Sequence, residues 1–298
     1  MISNHGLSDS GGFDPGTALP GDVGMAISEE DFARIRDLLH AGFGIKLANE
    51  KRALVVGRLR KLLLERGGIS FGEYYRQITS DETGTELSEL INRLSTNHTF
   101  FNRENDHFAF FRDTAMREAA ERARRQGRKD LRVWCAASST GEEPYMLAMM
   151  MREAMGSDFR HWEMGLLATD ISARALAVAR RGLYSPERMA DLPGELRKKY
   201  FHPRGPDFEA ANFLREDITY RRLNLINPEY PFKRRFACIF CRNVMIYFDQ
   251  PTKEAVVARM ARHLEPGGYL FIGHSESLGR QTPDYDYVRP AVYRRRSA

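Results

Sequence analysis

The side chains best suited to chemistry in this chain are charged or amide groups that directly follow apolar runs. Arg242 and Asn243 follow the run FACIFC, and Asp170 ends the run MGLLATD. Such runs predict buried strands, and a polar group buried beside a strand requires a partner. In an open parallel sheet, ligands bind beyond the carboxyl ends of the strands. We therefore expect these three residues to line one crevice, together with Asn224 and Leu225, which follow a possible β segment.

The turn after the first predicted strand indicates the charge of the ligand. It reads AASSTGEEP, lacks the G-x-G-x-x-G fingerprint of dinucleotide sites, and begins the next helix with Glu142 and Glu143. Phosphates at that helix N-terminus would meet like charge, whereas a cationic nucleoside such as S-adenosylmethionine would not. Asp170 is placed to accept hydrogen bonds from ribose hydroxyls. Two simpler interpretations stay open: the glutamates complement the helix dipole, or Asp170 caps the helix that follows it.

Alternating strands and helices surround these residues and predict a doubly wound parallel sheet. The helix candidates read EEPYMLAMMMREAM, SARALAVARRG and QPTKEAVVARMARHL, and the run YLFIGH predicts a further strand. Residues 203–224 depart from this alternation, with Gly, Pro and short Thr- and Tyr-containing runs, and we expect a small β insertion there. The α/β domain is predicted to span residues 131–298.

The part of the chain before this domain is predicted to be helical. Residues 1–25 are rich in Gly, Ser, Asp and Pro, which predicts a flexible tail. Residues 26–95 carry apolar side chains at helical spacing and predict an all-helical domain. Residues 96–130 are expected to form a linker and a connecting helix. One predicted helix, at 49–66, is rich in Arg and Lys.

Composition limits the class of protein and its partners. The chain has 298 residues, 42% hydrophobic and 29% charged, as in globular proteins, and lacks the run of about 18 apolar residues that membrane insertion requires. Three cysteines are too few for a disulfide framework, so a cytoplasmic location is expected. Cys238 and Cys241 lie inside a predicted strand without a second pair, so no metal site is expected. The net charge of +5 permits an acidic partner, but the scattered arginines, without aromatic stacking residues, do not indicate nucleic acid.

Five stretches give the chain a recognisable family likeness: TNHTFFNRE, AASSTGEEPY, ATDIS, FCRNVMIYFD and GHSESL. In order and spacing they resemble the CheR family of chemoreceptor glutamate methyltransferases of bacterial chemotaxis, over about residues 28–293. The resemblance implies a helical domain followed by an S-adenosylmethionine-dependent methyltransferase domain with a small antiparallel β insertion. It also implies methyl transfer to glutamate side chains of chemoreceptors, with S-adenosylhomocysteine as the product. The basic helix 49–66 is predicted to contact the receptor's cytoplasmic helices, and a monomer is expected.

The resemblance also assigns the site residues. By motif, cofactor contacts fall on Asn97, Thr99, Arg103, Glu143, Asp170, Asn224, Leu225, Arg242 and Asn243. Arg103 would hold a carboxylate of the cofactor or of the substrate, and Tyr247 would lie near the methyl-transfer site. Two less favoured alternatives are that Arg103 is an ordinary surface arginine and that Tyr247 is an aromatic residue of the core. Asn102 stands where the family commonly has a second aromatic residue.

Two other functions remain open at this point. The same fold and cofactor could serve another protein or a small-molecule acceptor. Alternatively, the chain could be a non-catalytic adaptor that responds to the cofactor and binds receptor-like helices.

Overall fold

Four helices begin the described part of the chain: α1 (Glu29–Phe43), α2 (Arg52–Glu65), α3 (Phe71–Ser80) and α4 (Thr85–Leu94). The computed structural model describes residues 26–94, 99–279 and 282–297, so the predicted tail at 1–25 lies outside it. The Ser28 hydroxyl caps α1 by accepting from the Asp31 N–H at 2.9 Å. Ser70 and Glu73 form a full capping box on α3. The apolar faces of the four helices pack into a core of their own.

Strands and helices then alternate as predicted. The elements are α5 (Asn105–Phe110), α6 (Met116–Arg125), β1 (Asp130–Cys135), α7 (Glu142–Met155), β2 (Glu163–Asp170), α8 (Ala173–Arg181), β3 (Leu183–Tyr184), α9 (Gly194–Tyr200), β4 (Phe201–Arg204), β5 (Asp207–Ala210), α10 (Asn212–Glu216), β6 (Ile218–Arg222), β7 (Phe236–Cys241), α11 (Gln250–His263), β8 (Leu264–Ile272), β9 (Tyr285–Arg289) and β10 (Val292–Arg295). No helix within the described ranges combines the length and the apolar character needed to cross a bilayer.

Seven strands form the main sheet in the order β6-β2-β1-β7-β8-β10-β9. The first five are parallel, and β10 runs antiparallel to both β8 and β9. All six residues of β7 are buried, as expected for a central strand covered on both faces. The predicted α/β class with parallel pairing is therefore confirmed. The carboxyl ends of β1, β2 and β7 meet at one edge of the sheet, where the predicted crevice residues follow them.

The small antiparallel sheet exists, but the predicted bounds of 203–224 are wrong. Its three strands, in the order β3-β5-β4, lie between Leu183 and Ala210. Residues 218–222 instead form β6, which pairs in parallel with β2 at the edge of the main sheet. The bounds were misjudged because β3 has only two residues, too few for a periodic pattern. In addition, β6 exposes Thr219, Arg221 and Arg222, so it does not read as a strand of a buried sheet.

The helical domain is tied to the loops that follow the main strands. The Lys46 N–H donates to the Tyr247 carbonyl at 2.8 Å, and the Asn224 side-chain amide donates to the Gly42 carbonyl at 2.8 Å. Between these contacts, Gly44 ends α1 with φ of 69°. A Cβ at Gly44 would lie 2.7 Å from the Thr252 side chain, so both the left-handed backbone and the close approach require glycine. The two parts of the chain therefore enclose a cleft at the strand ends.

Candidate active site

A cavity lies between the apolar underside of the helical domain and the carboxyl ends of the strands. The helical domain contributes apolar side chains from α1, α2, α4 and the α1–α2 connection: Leu39, Phe43, Ile45, Leu47, Leu54, Ile91 and Leu94. Every predicted site residue within the described ranges lines this cavity: Thr99, Arg103, Glu143, Asp170, Asn224, Leu225, Arg242, Asn243 and Tyr247. Asn97 lies outside the described residues. The roles assigned to these residues stay predictions, but their convergence on one cavity is a property of the fold.

Asp170 joins the loops that follow β1 and β2. One carboxylate oxygen accepts from the Ser139 N–H and the other from the Ser172 N–H, each at 2.8 Å. Ser172, not Asp170, caps α8, because its hydroxyl accepts from the Ala175 N–H. The alternative interpretation of Asp170 as that helix cap is therefore wrong. Burial raises the pKa of Asp170 above its ordinary value, and the backbone hydrogen bonds only partly oppose this shift.

Ser139 is a cavity residue to which sequence reasoning assigned no role. Its φ of 47° lies in the left-handed region, which is uncommon for serine. Its hydroxyl is buried and has no hydrogen-bond partner among the described residues. A buried hydroxyl without a partner costs free energy, so this group beside the Asp170 carboxylate fits a polar ligand such as a ribose. The only signal in the sequence was the position of Ser139 in the turn after β1.

Arg242 is fixed between two carboxylates. Its side chain is 1% exposed; Nη1 donates to Glu143 Oε2 at 2.7 Å, and Nη2 donates to Glu104 Oε2 at 2.9 Å. Nη2 also donates to the Arg103 carbonyl at 2.6 Å. Burial raises the pKa of Glu143, although the Arg242 charge and a hydrogen bond from the Cys135 thiol oppose the shift. Arg242 therefore forms its ion pairs within the wall of the cavity, and these pairs position Glu104 and Glu143.

Glu104 is the second residue that sequence reasoning missed, although it lies in the stretch TNHTFFNRE. Its carboxylate accepts from Arg242 and, at 3.2 Å, from the Asn243 side-chain amide. Burial raises the pKa of Glu104, but the Arg242 charge and these hydrogen bonds outweigh burial, so the pKa lies below its ordinary value. Glu104 and Asn243 both have left-handed backbones, with φ of 55° and 56°. The contact depends on two uncommon backbone conformations, which spacing along the chain does not reveal.

Glu276 fixes the turn after β7 through hydrogen bonds to its backbone. Its buried carboxylate accepts from the N–H groups of Asn243 at 2.9 Å, Ile246 at 3.1 Å and Gly273 at 2.6 Å. The Asn243 backbone also lies so close to Gly273 that a Cβ at 273 would be 3.0 Å from its nitrogen. Three N–H groups therefore converge on one carboxylate, which fixes the turn that carries Asn243 and Tyr247 into the cavity. The stretch GHSESL contains Glu276, but its position gave no indication of this role.

Glu142 does not face the cavity, contrary to the expectation that both glutamates would face the ligand. It is fully buried and pairs with Arg188, a residue between β3 and α9, and it accepts from the Thr140 hydroxyl at 2.8 Å. Successive residues of an α-helix point about 100° apart, so Glu142 and Glu143 cannot share one environment. Burial raises the pKa of Glu142 despite the Arg188 charge. Only Glu143 contributes an acid from this helix start to the cavity.

Arg103 and Tyr247, the two predicted catalytic residues, both lie at the cavity and are partly buried. The Arg103 guanidinium lies 5.8 Å from the centre of the Phe100 ring, and its Nε is 4.0 Å from Glu104 Oε1. Tyr247 ends the short helical turn Met245–Tyr247 and is anchored through its backbone carbonyl to Lys46. Neither residue is therefore a surface or core side chain remote from the site.

One group of potential metal ligands adjoins the cavity. Glu104, His107 and His274 bring ligand atoms within 4.8 Å of one another. Both Glu104 oxygens already accept hydrogen bonds, and one of the donors is the Arg242 guanidinium. A cation at this point would meet that positive charge, so we assign no metal to the group. The three cysteines of the chain are buried and unpaired.

The donor set of the cavity fits S-adenosylmethionine. Its polar side presents the Asp170 and Glu143 carboxylates, the Asn224 amide and the Ser139 hydroxyl, which has no partner among the described residues. Arg103 and Arg242 also line this side. Its other side comes from the helical domain and is mainly apolar, although Lys46 and Lys51 also line it. A ligand with a positive charge, ribose hydroxyls and an apolar face matches these surfaces better than a pyrophosphate does, because the turn after β1 offers a carboxylate rather than a glycine-rich anion site.

The sequence of the chain was compared with those of known protein families and proteins, and it matches two domains of one family. Residues 30–95 match the family domain "CheR methyltransferase, all-alpha domain", and residues 97–293 match "CheR methyltransferase, SAM binding domain". The chain is 40% identical over 256 residues to "Chemotaxis protein methyltransferase 2" of Pseudomonas aeruginosa, covering 84% of this chain and 88% of that protein. It is 38% identical over 274 residues to "Chemotaxis protein methyltransferase" of Escherichia coli (90% and 92%) and 35% identical over 275 residues to the protein of that name from Borreliella burgdorferi (92% and 97%). The cavity thus lies between the regions that match the two domains of this family, and this chain belongs to the CheR methyltransferase family.

Proposed function

We propose that this protein transfers the methyl group of S-adenosylmethionine to the side-chain carboxylates of glutamates in chemoreceptors. The observation that carries the proposal is the cavity at the strand ends, to which Asp170 and Glu143 contribute carboxylates and which the helical domain covers. Membership in the CheR methyltransferase family supports the same conclusion, as do relatives named as chemotaxis methyltransferases. We also propose that the protein acts in the cytoplasm as a monomer.

The cavity residues have distinct proposed tasks in holding the cofactor. When bound, S-adenosylmethionine supplies a methyl group on a positively charged sulfur. Asp170 and Ser139 would hold the ribose hydroxyls, and Glu143 would offset positive charge. Thr99, Asn224, Leu225 and Asn243 would complete the contacts, and Asn97 stays a predicted contact. Arg242 would act through Glu143 and Glu104, because its guanidinium already donates to both.

The acceptor glutamate needs alignment more than it needs a base. Its carboxyl group has an ordinary pKa of about 4.3 and is ionised at neutral pH. The protein must therefore exclude water and align the attacking oxygen, the methyl carbon and the sulfur, and such alignment can supply roughly 7–11 kcal/mol. We assign Arg103 to hold a carboxylate group, and the Tyr247 hydroxyl to donate a hydrogen bond to the attacking oxygen. Both side chains line the cavity.

Fewer residues of the basic helix are proposed to contact the receptor than the sequence indicated, because several of its arginines bond within the helical domain. Arg52 donates to the Ile27 carbonyl and Arg58 to the Leu94 carbonyl, while Arg66 pairs with Glu86 at 2.5 Å. These three arginines connect parts of the helical domain to one another. Lys61 is 79% exposed and 3.8 Å from Glu65. We therefore propose that Lys61, rather than Arg58, contacts acidic receptor helices.

A labelled-methyl assay tests the function. The protein is incubated with methyl-labelled S-adenosylmethionine and the cytoplasmic fragment of a chemoreceptor, and the labelled receptor is then treated with base. A glutamyl ester releases the label as methanol. The matched control is the same fragment with its accepting glutamates replaced by aspartate. Base-stable label would contradict the proposed acceptor, and absence of label from a folded sample that binds both partners would contradict catalysis.

A further inference from the structure

The outer face of α8 and the edge strand β6 form an arginine surface that the proposed catalysis does not use. Its members are all exposed: Arg174, Arg180, Arg181 and Arg222. The chain has no Asp or Glu between residues 171 and 186, or between residues 218 and 228. Within the described ranges, no carboxylate lies at ion-pair distance from these four guanidinium groups. Elsewhere in the same domain, arginines of α7 and α10 do pair with acids, as in Arg152–Asp217 and Arg215–Glu209.

Neutral acceptors orient part of this surface without cancelling its charge. Arg180 donates to the Tyr220 carbonyl at 3.0 Å. Arg222 donates to the Ile171 carbonyl at 3.0 Å and to the Ser88 hydroxyl at 2.9 Å. Carbonyl and hydroxyl groups satisfy the N–H donors but carry no net charge. The surface therefore keeps a positive potential that favours an acidic partner.

The spacing of two of these arginines fits a helical partner. Arg174 and Arg181 lie seven residues apart in α8, so they point in nearly the same direction, about 10 Å apart along the axis. We call the line of residues from Arg174 to Arg181 on this side of α8 the stripe. The exposed residue between the two arginines is Ala177, whose methyl group lets another backbone approach closely. A helix lying along α8 could place carboxylates two turns apart opposite both arginines.

The arginine surface begins at the edge of the cavity. α8 starts three residues after Asp170, and Ile171 and Leu223 both line the cavity. Arg222 precedes Leu223 and is bonded to the Ile171 carbonyl. A protein whose glutamate enters the cavity therefore has its neighbouring surface closest to Arg174 and Arg222, and Arg181 lies about 10 Å farther along α8.

We propose that the arginine surface binds an acidic helix of the acceptor protein, with carboxylates two helical turns apart facing Arg174 and Arg181. This proposal rests on the proposed function, since it takes the acceptor to be a protein whose glutamates are methylated. The surface would act on acceptor affinity and orientation. It makes no contact with the reacting atoms.

The test compares two variants that remove the same charge. Arg174→Gln/Arg181→Gln alters the stripe, and Arg125→Gln/Arg160→Gln removes two exposed arginines elsewhere. Binding to a receptor cytoplasmic fragment is measured by calorimetry at low and moderate salt, alongside methylation kinetics and S-adenosylhomocysteine affinity. The stripe variant should bind the fragment roughly fivefold or more weakly at low salt, raise KM, and leave kcat and cofactor affinity unchanged. The control variant should match the wild type.

The outcomes separate this proposal from the proposed function. Equal fragment affinity for the two variants, with normal methylation, overturns the arginine surface and leaves the function intact. Fragment binding that depends on the stripe, without methyl transfer by the wild type, supports the surface and contradicts the function. A wild type that neither binds nor methylates the fragment overturns both. Tighter, stripe-dependent binding to a 20-base-pair DNA duplex than to the fragment would overturn the assignment of an acidic helix.

Discussion

At the scale of single residues, the wall of the cavity depends on one arginine that pairs with two glutamates. Arg242 satisfies Glu104 and Glu143 together, which leaves Asp170 as the cavity carboxylate whose hydrogen bonds come from backbone N–H groups of its own and the neighbouring loop. Burying an arginine in this way is favourable only while both carboxylates stay in place. The wall is therefore a single unit, in which Glu104 matters as much as the residues that face the ligand.

The raised pKa values of Asp170 and Glu143 predict how cofactor affinity depends on pH. Burial raises both pKa values, so these groups take up protons at a higher pH than ordinary carboxyl groups, which titrate near 4. Protonation removes the negative charge that attracts a cation. We expect affinity for S-adenosylmethionine, measured by calorimetry, to fall as the pH drops from 7.5, before ordinary carboxyl groups titrate.

Two variants check the assignment of this titration. Asp170→Asn should bind more weakly at neutral pH and show a flatter pH profile, because one of the titrating groups is gone. Glu195→Gln removes a carboxylate that is 91% exposed and should reproduce the wild-type profile. A wild-type affinity that stays constant down to about pH 4.5 would rule out the carboxylates as the source of attraction.

Tyr247→Phe tests the proposed donor to the attacking oxygen. The substitution removes only a hydroxyl from the cavity lining. We expect kcat to fall about tenfold, equivalent to one hydrogen bond of about 1.4 kcal/mol, with S-adenosylhomocysteine affinity unchanged. Stopped-flow or single-turnover methylation, paired with calorimetry, measures the two quantities. An unaltered single-turnover rate would leave Tyr247 a purely steric role.

At the scale of elements, the site depends on turns that are held by side chains from other elements. The turn after β7 carries Asn243 and Tyr247, and it is fixed by Glu276, which follows β8. The turn after β1 is fixed by Asp170, at the end of β2. Each turn therefore takes its shape only when a neighbouring strand is in place.

Glu276→Ala should destabilise the protein and weaken the cofactor site together. The change leaves three N–H groups without their acceptor in a buried turn, which we expect to cost about 3 kcal/mol of unfolding free energy. Urea denaturation measures the loss, and calorimetry measures the weakened binding of S-adenosylhomocysteine. Glu276→Gln keeps one acceptor oxygen, so its free energy of unfolding should lie between those of the wild type and of Glu276→Ala. Glu229→Ala, at an exposed position, is the matched control.

The pairing of Arg188 with Glu142 predicts that the inserted segment is attached to the main domain by charge. Glu142 is 0% exposed, so removing its partner leaves a buried carboxylate unpaired. We expect Arg188→Ala to cost roughly 3 kcal/mol of unfolding free energy. Lys198→Ala removes a cation that is 75% exposed and should cost little. Equal melting temperatures for the two variants would contradict the structural importance of the pair.

The sequence predicted the positions of the site better than its internal contacts. Asp170, Arg242 and Asn243 could be placed because each follows a long apolar strand, and parallel strands bring their carboxyl ends together. Glu104 and Glu276 could not be placed, because their partners lie far along the chain and depend on left-handed or tightly turned backbone. The two-residue strand β3 gave no periodic signal, so the bounds of the insertion were misjudged. Glu142 was misplaced because a dipeptide pattern ignores the rotation of a helix.

At the scale of the whole molecule, the cavity lies between two domains that are packed around separate hydrophobic cores. The helical domain has its own hydrophobic core, and the sheet is covered on both faces by others. Between them run hydrogen bonds from Lys46 to Tyr247, from Asn224 to Gly42, and from Ser172 to Asn92. A ligand in the cavity therefore contacts both domains at once.

Cofactor binding should protect the helical domain as well as the sheet. Addition of S-adenosylhomocysteine at about 100 times its Kd should stabilise the folded state by about 2.7 kcal/mol. In hydrogen exchange followed by mass spectrometry, we expect slower exchange at residues 42–47 of the helical domain and at 241–248. The far end of the helical domain, at α3, serves as the internal control. Protection confined to residues after 130 would show that the domains do not close on the ligand together.

The order of the main sheet places β6 and β9 at its two ends. Such strands offer unpaired backbone groups to any second chain, and charged side chains discourage that pairing. β6 carries Arg221 and Arg222, and β9 carries Asp286 and Arg289, so both margins bear charged side chains. Two copies brought edge to edge at β6 would oppose arginine with arginine. Arg222, a member of the arginine surface, therefore also discourages edge-to-edge pairing of two copies of the protein.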